Sequence, residues 1–247
     1  MTTQSGVAPA VPLVSIPSAS EREHRFFMGM AVVVALIVLI GFGPTYFLRG
    51  VFRSDPLQPV FHLHGFVFSV WVAFFVVQTA LVFTRRTPVH RRLGVAGGVW
   101  AAVMLVVGYL AAVASARRGF TPPGGPPPLV FFVIPMTDLL VFTVFVAGGL
   151  YFRRQSAIHK RLMLLATISI LTAAIARLPY VLPLGPLAFF GLTDLLVVAC
   201  VANDRITRGR VHPAFLWGGL FLVASQAGRL VVGGTAAWLA FATWATR

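Results

Sequence analysis

Seven stretches of mostly apolar residues, 26–48, 60–83, 94–114, 129–152, 162–182, 187–203 and 214–233, make up most of this chain. Each meets or approaches the roughly 20 residues that a helix needs to cross a hydrocarbon core. In lipid every backbone N–H and C=O must be satisfied without water, and a helix does this within its own segment. The fold class expected is therefore an all-α membrane protein with seven transmembrane helices. Composition agrees: with 58% hydrophobic and 11% charged residues, the chain is too apolar for an ordinary soluble domain.

The net charge of +14 invites a nucleic-acid reading. The arginines, however, lie in short clusters between apolar runs, with no basic domain to hold a duplex, so no nucleic-acid partner is expected. Basic residues in short loops mark the cytoplasmic side of a membrane protein. The segment before the first span and the loops after the second, fourth and sixth hold thirteen Lys and Arg, including Arg85, Arg86, Arg153, Arg154, Lys160 and Arg161; the opposite loops and the far end hold five. This places the amino terminus inside and the carboxyl terminus outside. Cys200 is the only cysteine, so no intrachain disulfide forms.

Residues 1–25 read as a disordered cytoplasmic tail, 26–234 as the seven-helix domain and 235–247 as a short interfacial segment with Trp238 and Trp244 at headgroup level. Pro135 predicts a bend in the fourth span. Residues 117–128, with their Thr-Pro-Pro-Gly-Gly-Pro-Pro-Pro core, form a non-helical outer loop.

An internal repeat organises the second half. Thr137-Asp138-Leu139-Leu140-Val141, then a turn with His159, then Arg177 recurs as Thr193-Asp194-Leu195-Leu196-Val197, a turn with His212, and Arg229. The architecture expected is one leading helix followed by three repeated helical hairpins. In each copy the acid and the arginine lie about equally far from their joining turn, which brings Asp138 near Arg177 and Asp194 near Arg229. At about 1.5 Å per residue, Asp138 sits roughly 20 Å along its helix from the cytoplasmic end. Charge at such depth is costly unless it is paired or meets water. These four residues, with His62, His64 and Gln78 from the second span, form the candidate ligand-binding set. Alternatively, the pairs are ion bridges that only fix helix packing. On a helix His62 and His64 point about 200° apart, whereas an extended start would let both face one way. A metal site drawn from His62, His64, Asp138 and Asp194 lacks close ligand spacing, and none is assigned.

His90, His159 and His212 each precede a helix that starts from the basic side. Two histidines at equal depth on neighbouring helices can ligate the iron of a haem b, with nearby basic residues meeting its propionates. These three are the candidate cofactor ligands. Their plain alternative is a place among lipid headgroups, where the basic turns touch anionic lipid.

At His90-Arg91-Arg92-Leu93-Gly94 and His159-Lys160-Arg161-Leu162-Met163, followed by Ala176-Arg177-Leu178, the chain resembles a group of bacterial multi-pass membrane proteins without a settled activity. The resemblance implies a helical bundle in the bacterial cytoplasmic (inner) membrane. A looser likeness, in histidines near the ends of paired helices, links it to transmembrane b-type cytochromes. Those place haem ligands on both sides of a four-helix core, whereas here the outer histidines are confined to the second span. Three functions follow as expectations: binding or transport of a small ligand or proton at the Asp/Arg/His cavity; a b-type haem redox protein; or a structural accessory subunit of a homo-oligomer or membrane complex.

Overall fold

The computed structural model describes residues 18–53 and 55–247, and all regular structure among them is helical. Six helical segments are long and apolar enough to cross a membrane: Ser20–Phe47, Pro59–Phe83, Thr87–Arg117, Pro128–Tyr151, Pro186–Arg208 and Pro213–Val232. So many apolar helices, with outward faces as greasy as Leu36, Val95, Val99 and Leu195, suit a multi-pass membrane protein.

Residues 1–17 of the expected tail lie outside the described residues. Helix α1, Ala19–Phe42, opens with a capping box, in which the Glu21 N–H donates to Ser18 Oγ at 3.2 Å and the Ser18 N–H donates to the Glu21 carboxylate at 2.8 Å. The helix thus starts ahead of its apolar run and carries Glu23 into the bundle. It runs on through a π-turn, Gly43–Phe47, to the short α2, Arg49–Phe52. Helices α3, Pro59–Phe83, and α4, Thr87–Arg117, each take a proline in their first turn, where its missing N–H costs no bond. Because α4 begins at Thr87, His90 belongs to the helix and not to the loop before it.

Short α5, Pro128–Phe131, and α6, Val133–Tyr151, are separated at Phe132, three residues before Pro135, as the proline demands. Helix α9, Pro186–Arg208, ends on Gly209 at φ 71°, a left-handed cap that lets the chain turn at once into α10, Pro213–Val232. The final helix α11, Ala236–Ala245, lies against α5, and Trp238 Nε1 donates to the Leu129 carbonyl at 2.8 Å.

The fifth expected span departs from a simple helix. It is α7, Ser156–Ser169, a break at Ile170 and Leu171, and one turn of α8, Thr172–Ile175. Ser169 Oγ donates at 2.8 Å to the Ala166 carbonyl, which a continuous ladder would pair with the Ile170 N–H, and Thr172 Oγ1 lies 3.5 Å from Thr193 Oγ1. This interrupted segment is the centre of the molecule. Helix α7 is packed by α6, α10, α9 and α1, and Leu164, Leu165, Ala166 and Ile168 are fully enclosed. Irregular backbone at membrane depth is tolerated where protein covers it. Helix α8 turns away to pack on α1 and α9.

Candidate functional site

Helix geometry sets the depth of each polar group. Counting about 1.5 Å per residue from the basic ends of α6, α9 and α10, Asp138, Asp194 and Gln226 all lie roughly 20 Å in, and Arg229 about one turn further. The arginine stem reaches back along its helix, and Arg229 Nη1 donates to Asp138 Oδ1 at 2.5 Å. Asp194 Oδ1 accepts from Gln226 Nε2 at 3.0 Å. Gln226 and Arg229 are 5% and 4% exposed, so α10 presents a buried polar edge between α6 and α9. Thr137 and Thr193, beside the two acids, both donate to carbonyls four residues back, at 2.5 and 2.8 Å.

The expected pairing is therefore crossed: Asp138 meets Arg229, not Arg177, and Asp194 meets an amide, not Arg229. The cause is the break in the fifth segment. Arg177 follows α8 towards α1, where its guanidinium bonds the Ala173 carbonyl at 2.7 Å and lies 4.9 Å from the Phe42 ring centre. Gln226 has no counterpart in the other hairpin, so the repeat alone did not point to it. Its spacing three residues before Arg229, on the same face, is the signal that was there to find.

The remaining candidates separate further. Helix α3 is regular from Pro59, so His62 and His64 diverge: His62 is exposed, while His64 turns inward against Phe68 at 4.1 Å with its Nδ1 buried and unpartnered. The Tyr46 hydroxyl donates to the His62 carbonyl at 3.1 Å. Gln78 lies at the basic end of α3, its Oε1 buried without a partner, and its amide is near α4, where a Cβ on Gly94 would meet Nε2 at 3.4 Å. Of the seven residues expected to line one cavity, only Asp138, Asp194 and Arg229 come together in the α6–α9–α10 layer.

Two polar groups occupy the basic end. In the first, Arg161 and Asp204 are both 0% exposed; the guanidinium bonds both carboxylate oxygens, one of them through Nε at 2.9 Å, and bonds Glu23 at 2.8 Å. Lys160 reaches Glu23 at 2.8 Å, and Arg208 comes within 3.6 Å. Arg161, counted by sequence among the orientation charges of the basic turns, is the buried hub joining α1, α7 and α9. Glu23 and Asp204 were missed because each sits in a charged stretch that looks solvated. His212 belongs here too. Its backbone N–H donates to Asp204 Oδ2 at 3.0 Å, and its Nδ1 accepts the Ala214 N–H at 3.1 Å.

In the second group His90 and His159, each in the first turn of its helix, face one another with ring centres 6.2 Å apart and planes at 76°. His159 Nδ1 is 2.7 Å from the Gly149 carbonyl, which can only accept, so Nδ1 carries a hydrogen and donates it. His212 has the reverse arrangement, with Nδ1 accepting, and it does not join this pair. Among the described residues no three His, Cys, Asp or Glu side chains converge. No protein-family model, curated protein or solved structure matches the chain.

Proposed function

We propose that this protein is a multi-pass membrane protein of the bacterial inner membrane that binds a proton or a small cation at the Asp138–Arg229–Gln226–Asp194 layer. In this reading α7 and α8 together form a seventh crossing, with the amino terminus inside and the carboxyl terminus outside. The observation that supports it is a charge count. The layer holds two carboxylates and a single guanidinium, and that guanidinium pairs with Asp138. Asp194 is left with a neutral amide, and no cation of the described residues lies within ion-pair distance of it. A bare carboxylate at mid-membrane depth is expensive, and a proton or a small cation removes the cost. Asp138 with Arg229 is then the fixed half of the layer and Asp194 the exchangeable half.

Infrared difference spectroscopy tests the proton, and sodium-dependent thermal unfolding, with choline as control, tests the cation. The purified protein is expected to show either a protonated carboxyl band that shifts in D2O or a sodium-dependent rise in its unfolding midpoint. Asp194→Asn removes that signal while the protein still folds. Asp138→Asn destabilises instead, by about 3–5 kcal/mol, because it leaves Arg229 buried and unpaired. Neither signal in the natural protein, or a signal that survives Asp194→Asn, defeats the reading.

A further inference from the structure

Where α9 turns into α10, at the basic end, the chain shapes an open cavity of about 370 Å³ lined by Arg208, Arg210, Val211, His212 and Pro213. We infer that this cavity holds the phosphate group of an anionic membrane phospholipid, whose acyl chains lie along the outward face of α10. Such a ligand needs the membrane setting of the reading above but not its ion-binding layer.

The cavity carries surplus positive charge. Lys160, Arg161 and Arg208 outnumber Glu23 and Asp204, the two carboxylates of the adjoining cluster, and Arg210 adds a further cation. Lys160 and Arg161 already hydrogen-bond those carboxylates, whereas Arg208 comes only within 3.6 Å of Glu23, too far for a hydrogen bond. Arg210 is exposed and makes no ion pair among the described residues. Two guanidinium groups thus line the cavity with their donors unspent, and their planar fork matches phosphate oxygens. His212 adds a third donor. Its Nδ1 accepts the Ala214 N–H at 3.1 Å, so the neutral ring carries its hydrogen on Nε2. The turn is also fixed from behind, because the His212 N–H donates at 3.0 Å to Asp204, itself fully buried against Arg161. The donors are therefore in place before a ligand arrives.

The surface beside the cavity separates a lipid from a soluble anion. Leu216, Trp217 and Leu220 follow Pro213 by three, four and seven residues, which sets them in one stripe that starts at the cavity. All three are exposed. Trp217 lies about 6 Å along α10 from Pro213, the depth at which an indole meets the headgroups, and Leu220 about 10 Å along, among the acyl chains. A soluble anion would use the arginines alone; a phospholipid uses the arginines and the stripe. Basic pockets between membrane helices on the cytoplasmic side take anionic headgroups in this way.

The test uses the full chain in neutral detergent, with thermal unfolding and native mass spectrometry. Phosphatidylglycerol is expected to raise the unfolding midpoint saturably and to remain bound as a single lipid. Phosphatidylcholine and glycerol phosphate, at matched concentrations, are expected to do neither. Arg208→Gln and Arg210→Gln each weaken the apparent lipid affinity about fivefold, and the double variant about 30-fold. Should the variants at Arg208 fail to fold, Arg210→Gln, at an exposed position, decides alone. Arg91→Gln combined with Arg92→Gln, at the basic start of α4, leaves the affinity unchanged, as a defined site requires. Asp194→Asn leaves it unchanged too, so failure here and failure of the ion-binding reading are distinguishable. The assignment is overturned by the absence of a saturable shift, by an equal shift with phosphatidylcholine or with glycerol phosphate, or by binding that survives Arg210→Gln undiminished.

Discussion

At the scale of single residues, a ring proton decides what each histidine can do. His212 spends its Nδ1 lone pair on the Ala214 N–H, which caps α10, so protonation breaks the cap. Burial, foremost, and then the Arg161 guanidinium hold this imidazole below its ordinary value of 6.5; Arg208 adds to the effect, while Asp204 and Glu23 oppose it. A depressed value in the folded state means that the unfolded chain binds more protons, so stability rises with pH. The contribution is complete above about 6.5 and fades as the pH falls through the lower folded value. His212→Asn retains a cap without a titrating ring. Its unfolding midpoint in detergent is expected to fall less steeply below about pH 6.5 than that of the natural protein. Equal slopes would show that His212 is not where the proton goes. The sequence carried the types of these residues but not their partners. Asp138 and Arg229 stand out by their place in the internal repeat and by their depth, yet their pairing depends on how three helices face one another. Glu23, Asp204 and Gln226 were passed over because spacing along one helix does not show which residues meet across the bundle.

At the scale of elements, Pro135 marks the break at Phe132 in the sequence, while Pro59, Pro88 and Pro186 fall in first turns and Gly209 forms a left-handed stop. The interruption at Ile170 and Leu171 had no such mark. It contains neither proline nor glycine, and only Ser169 and Thr172, which bond to Ala166 and towards Thr193, betray it. That break sends α8 onto α1, and the contact is backbone to backbone. A Cβ added at Gly41 would fall 2.2 Å from the Ala174 carbonyl oxygen. Gly41→Ala therefore forces α1 and α8 apart, and overpacking of this kind costs about 1–3 kcal/mol or more. Gly29 is the control, since a Cβ there meets nothing within 4 Å. Thermal unfolding should show Gly41→Ala well below the natural protein and Gly29→Ala beside it. Similar midpoints for the two would mean that α8 does not sit against Gly41.

At the scale of the whole molecule, the fifth segment decides the topology. Helix α7 alone covers about 21 Å at 1.5 Å per residue, too little for a hydrocarbon core of about 30 Å. With the break and α8 it gains roughly another turn and a half, enough to cross. Six crossings put both ends of the chain on one side; seven put them on opposite sides, the arrangement we propose from the distribution of basic residues among the loops. Cys200 is buried and is the only cysteine, so Cys200→Ala alone gives a cysteine-free background. Into it go single cysteines at Arg154, in the basic turn between α6 and α7, at Tyr180, 88% exposed beyond α8, and at Thr246, after α11. A membrane-impermeant maleimide is applied to intact spheroplasts. Seven crossings predict that Tyr180→Cys and Thr246→Cys label at once and Arg154→Cys only after lysis. If Thr246→Cys also waits for lysis, the crossing number is even. A re-entrant fifth segment would start α9 on the inner side and carry Asp204 to the outer side, away from Arg161, so that labelling outcome would also deny the buried Arg161–Asp204 pair.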